Sequence, residues 1–272
     1  MKIILSRKGF DSQCGKQANP ILPDGTLLSF PIPDERDNLT FSDIKWNGQS
    51  YIDIIRSLKP KTIWDENSHC HLDPDLRKES IDRINGWHPA FGQTGSSLTE
   101  LRDYDVKAGD IFLFFGWFKE TEYRNGRLQY MYKARNLHII YGYMQVGSII
   151  ESYDEIPDWL KYHPHSNYKK YESAWNRGMN AIYLPSDRLS FVPNLPGCGT
   201  FRYDKRLVLT KEGYSRSRWN LPESMKGVPI SHNPNGWKEN YFQSAARGQE
   251  FIISGVPAVM EWVRNMFRMP YE

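Results

Sequence analysis

Gly109-Asp110-Ile111-Phe112-Leu113-Phe114-Phe115-Gly116-Trp117-Phe118 decides how the rest of this sequence is read. The run enters through a Gly-Asp turn, and its continuous rather than alternating apolar character predicts a strand covered on both faces. Its expected partner is Leu137-His138-Ile139-Ile140-Tyr141-Gly142-Tyr143-Met144-Gln145-Val146, which is β-branched and aromatic. Gly142 in the middle predicts a bulge or the close approach of another segment, since glycine otherwise weakens a strand. Between the two lies a polar segment, 120–135, carrying the hairpin signal Asn125-Gly126. Two long antiparallel strands of a curved sheet are expected, with the rest of the chain packed around them.

Working outward, residues 2–6 read as a first strand, 50–58 as an amphipathic helix ended by Pro60, and 62–64 as a short strand. Residues 154–162 suggest a short helix, 180–184 and 206–210 further strands. A last helix over 257–267 has Pro257 at its start and Val259, Met260, Val263, Met266 and Phe267 at core spacing. No repeat, low-complexity tract or linker interrupts the chain. The expectation is α+β: a single domain, 1–272, around a curved, mainly antiparallel sheet or partial barrel with several short helices.

With 272 residues, 39% hydrophobic and 25% charged, the chain is long enough to bury a substantial core. A net charge of +3 neither demands nor excludes nucleic acid, because dedicated binders carry a clear basic stripe. The aromatic fraction of 14% stands out; such rings serve as platforms for bases and also simply fill cores. Cys14, Cys70 and Cys198 are scattered, which suggests reduced thiols in a cytoplasmic protein rather than a disulfide frame or a cysteine-based zinc site. The N-terminal apolar core is too short for a signal peptide, and no run reaches the roughly 18 residues that span a bilayer.

Four stretches carry candidate chemistry. Arg7-Lys8-Gly9-Phe10-Asp11-Ser12, straight after the first strand, looks like a site built on a strand end, and Pro23-Asp24-Gly25 is a turn. In His69-Cys70-His71-Leu72-Asp73-Pro74-Asp75, two histidines and two aspartates suit acid–base work or metal ligation. The ligand set is incomplete within the motif, so no metal is assigned, and Asp73 with Pro74 also fits a helix start. Phe91-Gly92-Gln93-Thr94-Gly95-Ser96-Ser97-Leu98-Thr99-Glu100 combines close-approach glycines with a Ser97–Glu100 capping box. It fits an anion at a helix start and equally a structural turn. Arg247 in Ala246-Arg247-Gly248-Gln249-Glu250 could hold a phosphate bidentately or form a structural ion pair. His163 and His165 read as loop histidines, a reading that changes if folding brings either to His71.

Taken together, Ser6–Ser12, Pro23-Asp24-Gly25, His71–Asp75, Phe91-Gly92-Gln93, Gly109–Phe118 and Arg247–Phe251 resemble, in order and over essentially the whole chain, the third of the nucleotide-modification-associated domain families. The resemblance implies a bacterial or phage protein concerned with modified DNA bases, and marks Arg7, Asp11, Asp24, His71, Asp73, Gln93, Arg247, Gln249 and Glu250. The middle of the chain, about 105–210, is also similar in pattern to PUA-like domains, an analogy that does not fix function.

Two functions follow. An enzyme of DNA base or nucleotide hypermodification would use Asp11, His71 and Asp73 for acid–base chemistry. Arg7, Lys8, Gln93, Gly95, Ser96, Arg247 and Gln249 would hold the nucleotide or its phosphate, and Trp87, Phe91 and Trp117 would wall the base. The alternative is a non-catalytic, PUA-like reader of modified bases. DNA or a nucleotide is the expected partner in both, and the sequence does not name the cofactor or group donor.

Overall fold

Runs with no polar face to show water can only become the middle of a sheet, and they do. The computed structural model describes residues 1–245 and 248–268. Its main sheet has nine strands. These are β1 (Lys2–Arg7), β2 (Asn19–Ile21), β3 (Phe91–Thr94), β4 (Ile111–Arg124), β5 (Arg127–Tyr130), β6 (Leu137–Ile150), β7 (Asn180–Pro185), β8 (Cys198–Thr200) and β9 (Glu250–Ser254). The order is β9-β1-β4-β6-β7-β3, with β2 and β5 attached to β4 and β8 to β6. β1 and β2 run parallel to β4, and the other pairings are antiparallel. The expected α+β fold around a curved, mainly antiparallel sheet therefore holds, with two parallel pairings in it.

Ile111 to Phe115 are fully buried, as a strand covered on both faces must be. Both reasons for Gly142 apply. The β4–β6 register shifts between Ile140 and Gly142, and a Cβ at Gly142 would lie 2.5 Å from a Leu76 methyl. Asn125-Gly126, both at positive φ, turn β4 into the short β5, so β6 pairs with the first half of β4.

Phe91, Phe112, Phe114 and Tyr183 pack edge-to-face and stacked, with Phe91 4.8 Å from Phe112 and 5.2 Å from Phe114 between ring centroids. Around this core the sheet curls into a half-barrel until its end strands meet. Gln93 on β3 donates to Glu250 on β9 at 2.7 Å, across 157 residues of sequence.

Helix α1 (Tyr51–Leu58), capped by Ser50, closes a second core with Phe10, Phe30 and Phe41 beneath the opening turn. Helix α2 (Gly95–Asp103) follows β3 directly, α3 (Tyr168–Asn176) leads into β7, and α4 (Pro257–Met266) closes the described chain with Pro257 in its first turn. Among the described residues no helix is long and apolar enough to cross a membrane.

Several local expectations are corrected. Residues 62–64 form no strand. The 154–162 region is two 3-10 turns, Tyr153–Glu155 and Asp158–Leu160, and Lys205–Leu207 is a third where a strand was expected. Thr94, not Ser97, precedes the first turn of α2, and Glu100 reaches His232 at 3.0 Å instead of back to Ser97. No helix begins at Asp73; its carboxylate accepts a hydrogen bond from the Gly92 N–H at 2.7 Å.

Candidate functional site

Strand β3 organises two polar clusters, one against Gly92 and one at the Gln93 side chain. The free edge of β3 is lined by the His71–Asp75 segment. Asp75 exchanges backbone hydrogen bonds with Ala90 at 2.9 and 3.1 Å, and His71 is held by an antiparallel bridge to Ile32. Asp73 lands beside Gly92, whose amide it caps. The 3-10 turn Pro164–Ser166, entered through Pro164, brings His165 against Gly92 from the other direction. A Cβ at Gly92 would lie 2.2 Å from the His165 ring, so this close approach requires glycine.

His71, His163 and His165 therefore meet. The His71 and His165 rings are 5.2 Å apart between centroids, and those of His163 and His165 are 5.9 Å apart. All three histidines and Asp73 are buried. His71 Nδ1 lies 2.7 Å from an Asp37 carboxylate oxygen that also accepts from Lys170 Nζ at 2.7 Å. A carboxylate oxygen at that distance requires Nδ1 to carry the proton. His165 Nδ1 lies 2.6 Å from Asn180 Oδ1, and Asn180 Nδ2 donates to the His165 carbonyl at 3.0 Å. The amide is thereby oriented with its oxygen toward the ring, and Nδ1 of His165 is again the donor. Tyr171 stacks on His165 at 4.9 Å. His163 Nδ1 accepts from the His165 amide at 3.3 Å, which turns Nε2–H toward Asp73 Oδ1 at 3.3 Å.

Burial, opposed in part by the Asp73 charge, pushes His165 down to about 3, so it is neutral at pH 7. Burial works against ionising Asp73 as well, but the His163 contact and the adjacent imidazoles outweigh it and hold its carboxyl well below the usual range. Asp37 is likewise held low: burial opposes ionisation, and the contacts to His71 and Lys170 overcome it.

On the other side of β3 lies a sealed seam. Ser6 Oγ, Lys8 Nζ and Gln93 Nε2 all donate to Glu250 Oε1, at 3.0, 3.0 and 2.7 Å. Lys8 Nζ also sits 4.4 Å from the centre of the Phe91 ring. Glu250 is fully buried, and the Gln93 carbonyl is occupied by the Thr94 amide at 3.0 Å.

The other expected site residues fall as follows. Asp11 is apart from His71 and Asp73; its carboxylate accepts the amides of Gln13 and Cys14 in the opening turn. The Arg7 guanidinium donates to the Ala245 carbonyl at 2.9 Å, with the Phe115 and Phe251 rings beside it. Gly95 donates its amide to Met179, Ser96 is exposed, and exposed Gln249 accepts from Ser97 at 3.4 Å. Phe91 is core. Trp87 donates to Tyr162 at 2.6 Å and packs on Arg83, which makes a bidentate pair with Asp75 at 2.6 and 2.7 Å. Arg247 lies outside the described residues.

Asp73 and Gly9 line one small cleft of about 40 Å³, open to solvent, with Tyr51 and Tyr141 among its walls. The opening turn and the His71–Asp75 segment thus share a hollow, while Glu250 is sealed behind β3. A second, broader groove of about 470 Å³ is lined by Trp117, Arg135, Lys211, Tyr214 and Arg216. Arg216 stacks 4.3 Å over Trp117 and donates to Ser12 at 3.0 Å. Asp37, Lys170, Asn180 and the 210–216 turn escaped the sequence reading. Only the last left a signal there, in the interleaved Lys211, Tyr214 and Arg216.

No curated protein and no solved structure matches this chain. The model of the family described as nucleotide modification associated domain 3 matches residues 2–254, from the first strand of the sheet to the last. The chain therefore belongs to the nucleotide modification associated domain 3 family.

Proposed function

We propose that the protein is an enzyme of DNA base or nucleotide hypermodification, with its chemical centre at His71, Asp73, His163 and His165. The observation that carries this reading is their convergence from separate segments into one buried cluster, with Asp73 on the wall of a solvent-open cleft. Buried imidazoles with fixed tautomers and an ionised carboxylate cost stability, and such groups gather where chemistry needs them. Tyr51, Tyr141, Leu27 and Leu72 give the cleft the aromatic and apolar walls that suit a base taken out of its stack, and at about 40 Å³ it would have to widen to admit one. The Trp117–Arg216 groove supplies cations and rings for a nucleic-acid strand. The three free cysteines suit the reducing cytoplasm.

The basic-aromatic groove also favours a second reading, a PUA-like reader that binds modified DNA without altering it. Mass spectrometry of nucleosides separates the two. DNA or nucleotides are incubated with the protein and a panel of group donors, alongside His71→Ala and Asp73→Ala. A new nucleoside formed by the wild type and by neither variant supports the enzyme. Binding of modified DNA that both variants retain, with no product from any donor, overturns it in favour of the reader.

A further inference from the structure

The histidine cluster has the construction of a metal site. One potential ligand atom from each of His71, Asp73 and His165 lies within 4.8 Å of the others, and all three residues are buried. Each side chain has its other polar atom already engaged. Nδ1–H of His71 is committed to Asp37 and Nδ1–H of His165 to Asn180, so both imidazoles present Nε2. Among the described residues neither Nε2 has a hydrogen-bond partner. Asp73 Oδ1 takes the Gly92 amide and faces His163, leaving Oδ2.

Partners on the non-ligating atom of each donor are what fixes tautomer and orientation in metal centres. Charge supports the same conclusion. Lys170 answers Asp37 and Arg36 answers Asp34. Asp73, equally buried, has no lysine or arginine partner among the described residues, and a buried carboxylate of that kind calls for a cation. The neighbouring set Asp34, Asp37 and His71 is different: Lys170 Nζ already stands 2.9 and 2.7 Å from its two carboxylates.

We propose that His71 Nε2, His165 Nε2 and the Asp73 carboxylate bind one divalent transition-metal ion, with Asp37, Asn180 and His163 as positioning residues. Two imidazoles and one carboxylate leave further coordination positions open, the arrangement found in mononuclear ferrous and catalytic zinc centres. Asp73 borders the cleft, so those positions would face an incoming substrate. The inference rests on the proposed location of the chemistry, but metal binding is read without turnover. Its failure would remove the metal and leave the base-directed reading to its own product assay.

The test uses tag-free, full-length protein freed of metal by a chelator and titrated with Co(II), with Fe(II) under anaerobic conditions, and with Zn(II). One ion per chain is expected. The Co(II) form should show two exchangeable, paramagnetically shifted imidazole N–H resonances, one for each Nδ1–H. His71→Ala and His165→Ala should lose binding by at least about 100-fold, and Asp37→Asn by about 10–100-fold, while His88→Ala retains it. Absence of stoichiometric binding by the folded wild type, absence of the shifted N–H resonances, or binding unchanged by His71→Ala and His165→Ala would overturn the proposal.

Discussion

The two sides of strand β3 are built from similar polar materials and differ in how those groups are tied. On the Gln93 side, Ser6, Lys8 and Gln93 converge on a single oxygen of Glu250 and close the seam between the end strands. On the Gly92 side, every tautomer is fixed but the ring Nε2 atoms of His71 and His165 remain without protein partners among the described residues. The seam holds a buried ammonium on its carboxylate and fastens the two end strands, with Glu250 Oε2 left unpaired, whereas the cluster orients its rings through Asp37 and Asn180 and leaves their outer nitrogens open. Stability should be concentrated at the first and chemistry at the second.

The strongest way to break that division is at Glu250. Glu250→Ala leaves the Lys8 ammonium buried without its carboxylate and should cost about 3–5 kcal/mol in urea unfolding. Adding Lys8→Met in the same chain should recover much of that loss, because removing both charges avoids the orphan. Next in size is Gly92→Ala, whose new methyl meets the His165 ring at 2.2 Å. It should cost about 1–3 kcal/mol, the usual toll of overpacking, and should also displace His165, which a shift in the imidazole NMR signals would register.

A pH experiment sharpens the comparison at His138, outside both clusters. Its pKa is held well below the usual value by burial and by the charges of Arg7 and Arg216, and its Nδ1 accepts from Trp219 at 3.1 Å. The unfolded chain therefore takes up this proton first. Stability is intact above the unfolded value of about 6.5 and is lost as the pH falls below it, at up to roughly 1.4 kcal/mol per pH unit. His138→Gln keeps an acceptor for Trp219 and should flatten that slope in denaturation curves between pH 7 and pH 5. The smallest expected effect on stability belongs to Arg216→Ala in the open groove, within about 0.5 kcal/mol. The same change should weaken single-stranded DNA binding and reduce the salt dependence of log K by about 1.

The large strands were legible because patterning and burial are local properties. Ile111–Phe115 could be nothing but covered strand, and Gly142 announced both its bulge and its tight contact. The site was legible in pieces. His71 and Asp73 stood out in one motif, and His163 and His165 in another; what joined them was the curl of the sheet and the turn before α3. Asp37 and Asn180 carried no mark, because orienting another residue's ring nitrogen demands only one acceptor in the right place. Ser97 misled for the opposite reason. Its capping pattern is locally sound, but Thr94 Oγ1 donates to Met179 and the helix starts a turn earlier. Trp87 and Phe91 offered ring faces on paper that folding gave to Arg83 and to the core.

The most direct test is a matched comparison of Asp73→Asn and Gln93→Ala, assayed by nucleoside mass spectrometry at a temperature where both are folded. Asp73→Asn should form no modified nucleoside, while Gln93→Ala should retain product at a level set by its folded fraction. Product from Asp73→Asn at the wild-type level, or its loss in Gln93→Ala alone, would mean that the chemistry does not reside on the Gly92 side of β3.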